Sequence, residues 1–135
     1  MNVRKFQDAD KPKLTALWKR VFPNDPPHNE PSLVIEEKLA VDDLIFVAEE
    51  GGEILGACMA GYDGHRGWLY AVAVSPDHRR RGTGTALVNF ALDALREIGC
   101  KKVNLQIRAD NTAVAEFYNA LGFSAEDRMS MGTFI

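Results

Sequence analysis

The stretch from residue 68 to residue 98 constrains the fold most, because it runs from an apolar segment through a basic glycine loop into an amphipathic segment. Residues 68–74 are mostly aliphatic, β-branched or aromatic and have the length of a strand, and Pro76 cannot continue a strand ladder. Between residues 86 and 98, apolar side chains recur at the spacing of one helix face, and Gly99 ends the run. The sequence therefore predicts a strand, a loop and a helix in direct succession.

The loop between this strand and this helix has the composition of an anion-binding site. The first N–H groups of a helix lack intrahelical partners and carry partial positive charge. Glycines let a ligand approach the backbone, and arginines suit phosphate oxygens. We therefore expect a pyrophosphate-bearing ligand at Arg79, Arg80, Arg81, Gly82, Thr83, Gly84 and Thr85. A solvated basic face or a nucleic-acid patch is the alternative for the three arginines.

Two common nucleotide-binding loops do not fit this segment. It contains no Gly-Lys-Ser/Thr of an NTPase P-loop, and Leu87 stands where the dinucleotide fingerprint has its third glycine. The pattern that fits is Arg-x-x-Gly-x-Gly at residues 79–84, which resembles the acetyl-CoA signature of the GNAT superfamily of N-acetyltransferases. Residues 111–123, with the pattern Asn…Phe-Tyr…Gly-Phe, are similar to the second conserved segment of that superfamily. The chain thus resembles a small bacterial GNAT protein.

The resemblance implies an α/β (α+β) fold with a central mixed, mostly antiparallel sheet, one splayed parallel strand pair and about four flanking helices. It implies an enzyme that moves the acetyl group of acetyl-CoA to a primary amine of a small molecule or protein by direct attack, without a metal. The pantetheine arm is expected in the gap between the parallel strands, beside Val72, Ala73 and Val74. Asn111 and Tyr118 are expected to contact the cofactor as well.

Tyr118 is the expected general acid. Acetyl transfer needs a neutral amine, a group that stabilises the oxyanion and a proton for the departing thiolate. A tyrosine hydroxyl has a pKa of ~10, close to the ~8.5 of a thiol, so it can protonate the departing thiolate. The tyrosine is uncharged before the transfer. The alternative is that Tyr118 and Phe117 only form an aromatic pair in the core. A backbone N–H around Val72 is implied for the carbonyl oxygen, and Asn111 has helix capping as its alternative role.

The general base is not identified by the sequence. Many relatives carry a glutamate at the position of Tyr70. The alternatives are proton loss to bulk solvent or a base acting through water, with Glu49, Glu53, Asp63 and His65 as the candidates.

The whole chain is predicted to be a single domain that spans residues 1–135. Strands are expected at residues 2–6, 44–49, 53–62, 68–74 and 101–108, with a final strand after residue 123. A first helix is expected to be capped by Asp8 or Asp10 and to end at Pro23, and further helices are expected at residues 32–41 and 82–98. A last helix is expected to be capped by Asp110 or Asn111 and to run to Leu121. Because the strand, helix and strand of residues 68–108 form one β-α-β unit, these two strands should be parallel.

Composition and charge restrict the partners and the cellular location that we expect for this protein. The net charge of −3 argues against a general nucleic-acid binder. No apolar run reaches the ~20 residues of a membrane span, and the N-terminus lacks the apolar region of a signal peptide, so we expect a cytoplasmic protein. Cys58 and Cys100 lack metal or redox spacing and are expected to be reduced packing residues. Homodimer formation through an exposed strand edge is a further expectation.

Two rival functions remain at this point. One is a module that binds acyl-CoA through the same arginine loop without turning it over. A Tyr118→Phe variant should bind CoA normally in either case, but it should lose turnover only if the protein is an enzyme. An unrelated nucleotide-binding protein would be stabilised by ATP or NAD rather than by CoA.

Overall fold

The computed structural model describes residues 1–79 and 81–135 of the chain. The predicted phosphate contact of Arg80 lies outside the described residues. The chain divides into two compact units, residues 1–105 and residues 106–135. Among the described residues, the first unit contains the sheet and three α-helices, and the second contains one α-helix.

A five-stranded mixed sheet forms the centre of the first unit in the described part of the chain. Its strands are β1 Asn2–Lys5, β2 Ile45–Glu50, β3 Glu53–Tyr62, β4 Gly67–Val74 and β5 Val103–Asn104. They lie side by side in chain order. The first four are antiparallel to their neighbours, whereas β4 and β5 are parallel.

Four α-helices accompany the sheet among the described residues: α1 Lys11–Val21, α2 Pro31–Leu39, α3 Thr83–Glu97 and α4 Thr112–Ala120. The mixed, mostly antiparallel sheet with its helices confirms the predicted fold class. The parallel pair β4 and β5, joined through α3, is the expected β-α-β unit.

The sheet is packed on both faces, because successive residues of a strand point to opposite sides. Val47 of β2 belongs to a buried cluster that includes Leu14 and Trp18 of α1. The neighbouring Phe46 points the other way and contacts the ring of Phe90 in α3, with 5.3 Å between the ring centroids. The sheet therefore separates α1 from α3.

A polar contact fixes the start of α1 to the first strand. Arg4 of β1 donates two hydrogen bonds to the carboxylate of Asp10, at 2.7 and 2.9 Å. These bonds hold the pKa of the Asp10 carboxyl below its usual range. Asp10 directly precedes α1, so this ion pair anchors the helix that carries Trp18.

Two predicted strands differ from the structure. β5 comprises only Val103–Asn104 instead of residues 101–108, because its ladder with β4 contains just two residue pairs. The strand predicted after residue 123 is wrong, since residues 121–135 form no strand. Met129 and Met131 in that segment are 87% and 88% exposed, so these side chains have no buried face of the kind that stabilises a strand. The other predicted elements agree with the structure to within two residues.

Both cysteines are buried free thiols, as the sequence predicts. Burial raises the pKa of the Cys58 thiol to about 12. Within the described residues, no group of three or more His, Cys, Asp or Glu side chains is arranged to hold a metal ion. None of the helices in this part of the chain has the length and apolar character that a membrane crossing requires.

Candidate functional site

β4 contains a bulge opposite Cys58. The register between β3 and β4 shifts there, so that Ala71 and Val72 of β4 lie opposite this one residue of β3. Ala71 has a φ of 49°, in the left-handed region that residues other than glycine rarely adopt. A bulge changes the direction of the backbone groups around it. Here those groups belong to the segment of Val72, Ala73 and Val74, which the resemblance places beside the pantetheine arm.

The indole of Trp18 contacts this bulge directly. Its Nε1–H donates a hydrogen bond to the carbonyl oxygen of Ala71 at 3.1 Å. The Trp18 side chain is only 3% exposed, so the contact is held inside the buried cluster of α1. The two residues are 53 positions apart in the chain, and no sequence pattern indicated their contact.

The other edge of β4 is largely unpaired. Gly67 pairs with Val103 and Trp68 pairs with Asn104, and the ladder with β5 ends there. Within the described residues 1–79 and 81–105, the rest of β4 has no strand partner on this edge. An extended ligand can add to such an edge through main-chain hydrogen bonds.

The loop after β4 turns the chain into α3. The N–H of Ser75 donates to the carbonyl of Leu55 at 2.7 Å, which ends β4 against β3. A short 3₁₀ turn then covers residues 76–78. Gly82 has a φ of 78° and is the N-cap residue of α3, so a glycine is suited to the left-handed conformation required here.

Gly82 has no side chain with which to cap the N-terminus of α3. The first intrahelical bond from this end runs from the N–H of Ala86 to the carbonyl of Gly82, at 3.0 Å. The N–H groups in the first turn before Ala86 therefore lack intrahelical acceptors. Thr83 lies in this turn with 2% exposure, and its hydroxyl has no hydrogen-bond partner among the described residues. An uncapped helix end with an unpartnered hydroxyl suits an anionic ligand.

Gly56 allows α3 to lie close against the sheet. A Cβ at this position would lie 2.9 Å from the carbonyl oxygen of Ala73 and from Cδ1 of Leu87, and 3.2 Å from Cγ2 of Thr83. Any side chain here would force the backbone of Ala73 or the side chains of Leu87 and Thr83 to shift. A glycine inside a strand pattern is a known signal of close approach, although the predicted site residues did not include Gly56.

The two described arginines of the loop both contact neighbouring groups. Nε of Arg79 donates to the carbonyl oxygen of Val74 at 3.4 Å. Arg81 pairs with Glu50 at 3.0 Å, and this hydrogen bond lowers the pKa of the Glu50 carboxyl. Arg20 of α1, which was not among the predicted site residues, pairs with Asp77 of the same loop at 2.9 Å.

The second unit contains the two remaining predicted residues. Asn111 caps α4, because its side-chain oxygen accepts a hydrogen bond from the N–H of Val114 at 3.4 Å. Tyr118 lies on α4 and is 7% exposed. Its ring meets those of Phe117 and Phe123 edge to face, with centroid distances of 4.9 and 5.5 Å. The capping and packing roles are both present, and the cofactor contacts of Asn111 and Tyr118 stay predictions.

The candidate bases differ in their contacts. Glu49 accepts hydrogen bonds from Arg4. Asp63 accepts the backbone N–H groups of Arg66 and His65, at 2.7 and 2.8 Å, and these bonds lower the pKa of its carboxyl. Partial burial and the nearby Asp63 raise the pKa of Tyr70, so this residue stays protonated at neutral pH. The general base therefore stays unassigned.

A mixed sheet with a short parallel ladder, followed by an uncapped helix beside a basic loop, is the architecture of a CoA-dependent acyltransferase. The model of the acetyltransferase (GNAT) family matches residues 11–123. An acetyltransferase of Sodalis glossinidius is 42% identical over 94% of this chain and 89% of its own length. The chain belongs to the GNAT family and is an acetyl-CoA-dependent acetyltransferase that acts on an amine.

Solved structures show the same fold. An Agrobacterium tumefaciens protein described as an acetyltransferase superposes with a TM-score of 0.84 at 25% identity, over 99% of this chain and 100% of its own. An aminoglycoside N-acetyltransferase in complex with CoA also superposes with a TM-score of 0.84, at 22% identity, over 98% of this chain and 93% of its own. The family prediction made from the two motifs is thereby confirmed.

Proposed function

We propose that the loop and helix start at residues 79–85 bind the pyrophosphate of acetyl-CoA. The observation that supports this proposal is the N-terminus of α3, where Gly82 offers no side-chain cap and the buried hydroxyl of Thr83 has no hydrogen-bond partner in the described part of the chain. Phosphate oxygens would accept hydrogen bonds from this hydroxyl and from the first-turn N–H groups. Arg79 and Arg81 add positive charge at the surface of the same loop.

Val72, Ala73 and Val74 are proposed to pair with the pantetheine arm. The unpaired edge of β4 supports this, because a strand edge offers N–H and C=O groups in an alternating row. The Val72 N–H is assigned to the carbonyl oxygen of the thioester, on which negative charge develops during the reaction. A backbone donor that is already in position stabilises this charge without further reorganisation.

Tyr118 is proposed as the general acid, and Asn111 as a second contact to the cofactor. In the transfer, the amine nitrogen bonds to the acetyl carbon while the carbon–sulfur bond breaks. The amine loses one proton, and the leaving sulfur gains one. A tyrosine hydroxyl supplies the proton to sulfur without carrying a charge beforehand, and its phenolate then regains a proton from solvent.

The acceptor is proposed to be a primary amine of a small molecule or protein. Homodimer formation, the absence of nucleic-acid binding, the cytoplasmic location and the single-domain organisation of residues 1–135 stay predictions. The dimer is checked by size-exclusion chromatography with light scattering. A species near the monomer mass of 15.0 kDa would contradict it.

Thermal stabilisation tests the cofactor site. Acetyl-CoA and CoA should each raise the melting temperature, because a ligand that binds only the folded state stabilises it. ATP and NAD at the same concentration should produce a smaller shift. An equal shift with ATP, or none with the CoA compounds, would contradict the assignment of residues 79–85.

Replacement of Tyr118 by phenylalanine tests the general acid. With an amine found by screening, turnover should fall about 100-fold, the lower end for loss of a general acid, while the dissociation constant of acetyl-CoA changes little. Turnover is followed as release of free CoA thiol. Tyr62→Phe is the matched control, because the Tyr62 hydroxyl contacts only the carbonyls of Gly64 and Gly99 among the hydrogen bonds described. Equal turnover in the two variants would contradict the role of Tyr118.

A further inference from the structure

We propose that Trp18 is a positioning residue for acetyl transfer, because its indole N–H fixes the direction in which the Val72 N–H points. The catalytic meaning of this inference rests on the proposed function, in which Val72 binds the thioester oxygen. The structural claim of the inference, that Trp18 orients the peptide unit between Ala71 and Val72, does not depend on the proposed function.

A single peptide unit links Ala71 to Val72 in the bulge of β4. The carbonyl of Ala71 and the N–H of Val72 belong to the same peptide bond, which is planar and trans. In a trans peptide these two groups point in opposite directions. The Trp18 indole holds the Ala71 carbonyl at 3.1 Å. The Val72 N–H must therefore point away from α1.

This peptide unit lacks the restraint that a regular strand would provide. Ala71 and Val72 have no paired residues of their own in the described register of β3. The left-handed φ of Ala71 is also unfavourable for a residue with a Cβ. A conformation of this kind persists only where surrounding contacts determine it. The hydrogen bond from Trp18 is such a contact.

The indole is itself held in place. Trp18 is packed among the buried side chains of α1, α2 and β2, including Leu14, Ile35 and Val47. The start of α1 is anchored by the ion pair of Arg4 and Asp10. Because packing holds the indole in one orientation, its N–H can fix the direction of the Ala71 carbonyl that it binds. Supporting residues orient the groups of preorganised sites in the same way.

The first experiment uses Trp18→Phe, which keeps an aromatic ring and removes the N–H. Titration calorimetry gives the dissociation constants of acetyl-CoA and of CoA for each protein. The ratio of these constants reports the contact with the acetyl carbonyl, which CoA lacks. We expect the preference of the wild-type protein for acetyl-CoA to fall about fivefold, in the range expected for loss of one hydrogen bond, while affinity for CoA stays within about twofold.

Leu17→Val is the matched control for loosened packing of α1. Leu17 precedes Trp18 and is buried in the same cluster. Removal of one methylene from it destabilises the core without touching the Ala71 carbonyl. The control should retain the preference for acetyl-CoA. An equal loss in both variants would overturn the inference, because general loosening would then explain the effect.

A second measurement does not depend on ligand binding. In ¹H–¹⁵N spectra of the ligand-free protein, the indole N–H of Trp18 should exchange slowly, and Trp68→Phe identifies which of the two indole signals it is. Trp18→Phe should shift the Val72 amide signal strongly, whereas Leu17→Val should not. An unmoved Val72 signal would overturn the inference.

The binding measurement and the NMR measurement distinguish a failure of the proposed function from a failure of the inference on Trp18. If wild-type protein binds neither CoA compound, the proposed function fails, and the Val72 signal still decides whether Trp18 orients the peptide. If wild-type protein prefers acetyl-CoA and Trp18→Phe retains that preference, the inference on Trp18 fails and the proposed function stands.

Discussion

Helices α3 and α4 begin in opposite ways. α4 is capped by the side chain of its own N-cap residue, Asn111, which accepts a hydrogen bond from the N–H of Val114. α3 begins at Gly82, which has no side chain to offer. Glycine at an N-cap is less stabilising than asparagine by only about a few tenths of a kcal/mol, so α3 loses little stability by lacking the side-chain cap that α4 has. The first-turn N–H groups of α3 are therefore open to an external acceptor such as the proposed phosphate, whereas Asn111 already occupies one of those of α4.

Gly82→Asp should have the largest effect, because it gives α3 the cap that α4 already has. Its carboxylate would occupy the first-turn N–H groups and repel phosphate oxygens. The left-handed φ of 78° adds strain to any residue other than glycine. We expect the dissociation constant of acetyl-CoA to rise about 100-fold, since a charge-assisted contact is lost and a repulsion added. Titration calorimetry measures this change.

Gly82→Asn is the control for charge. Asparagine caps a helix and tolerates the left-handed region, but it carries no negative charge. Its effect on affinity should therefore be clearly smaller than that of Gly82→Asp. Affinity within about twofold of wild type in the aspartate variant would break the comparison between the two helices.

Thr83→Val should have an intermediate effect. The valine preserves the shape of the side chain and removes the unpartnered buried hydroxyl. The melting temperature of the ligand-free protein should stay the same or rise, because an unsatisfied polar group is lost. The dissociation constant of acetyl-CoA should rise about tenfold, since a bond to phosphate is removed.

Thr112→Val is the matched control for this change, since Thr112 is the first residue of α4 just as Thr83 is the first residue of α3. Its affinity for acetyl-CoA should equal that of the wild type. A drop in the ligand-free melting temperature of Thr83→Val, without a change in affinity, would show that the hydroxyl serves folding only.

Asn111→Ala should change ligand binding least. Loss of the cap should lower the free energy of unfolding by about 1 kcal/mol, measured by urea denaturation. The dissociation constant of acetyl-CoA should rise about threefold, as expected from one neutral hydrogen bond. Asn111→Ser should restore the stability, because serine is an equally good cap. Unchanged affinity in both variants would leave Asn111 with the capping role alone.

The sequence predicted the parts of the site that depend on neighbours along the chain. The strand before Ser75, the glycine turn at residue 82 and the helix start at Thr83 all follow from local composition and periodicity. The bulge at Ala71 and its contact with Trp18 could not be predicted, because they depend on residues that only the fold brings together.

The same distinction explains why one predicted strand, β5, is shorter than expected and why the strand predicted after residue 123 is absent. Residues 103–108 alternate as a strand does, whereas the segment after Phe123 was predicted as a strand without such a pattern. A strand forms only where a partner and a buried face exist. For β5 the ladder contains two residue pairs, and after Phe123 no strand forms. Composition alone contains no information about either condition.

The burial of Cys58 has a consequence for the route of the acetyl group. A cysteine thiolate can attack a thioester and capture its acyl group on the protein. Cys58 lies opposite the bulge at which the thioester is proposed to bind, but burial raises the pKa of its thiol to about 12, so the thiol stays protonated at neutral pH. The fold thus protects the activated acetyl group from capture by this side chain. The amine acceptor then has no competitor at this position, as a transfer without an acetylated enzyme requires.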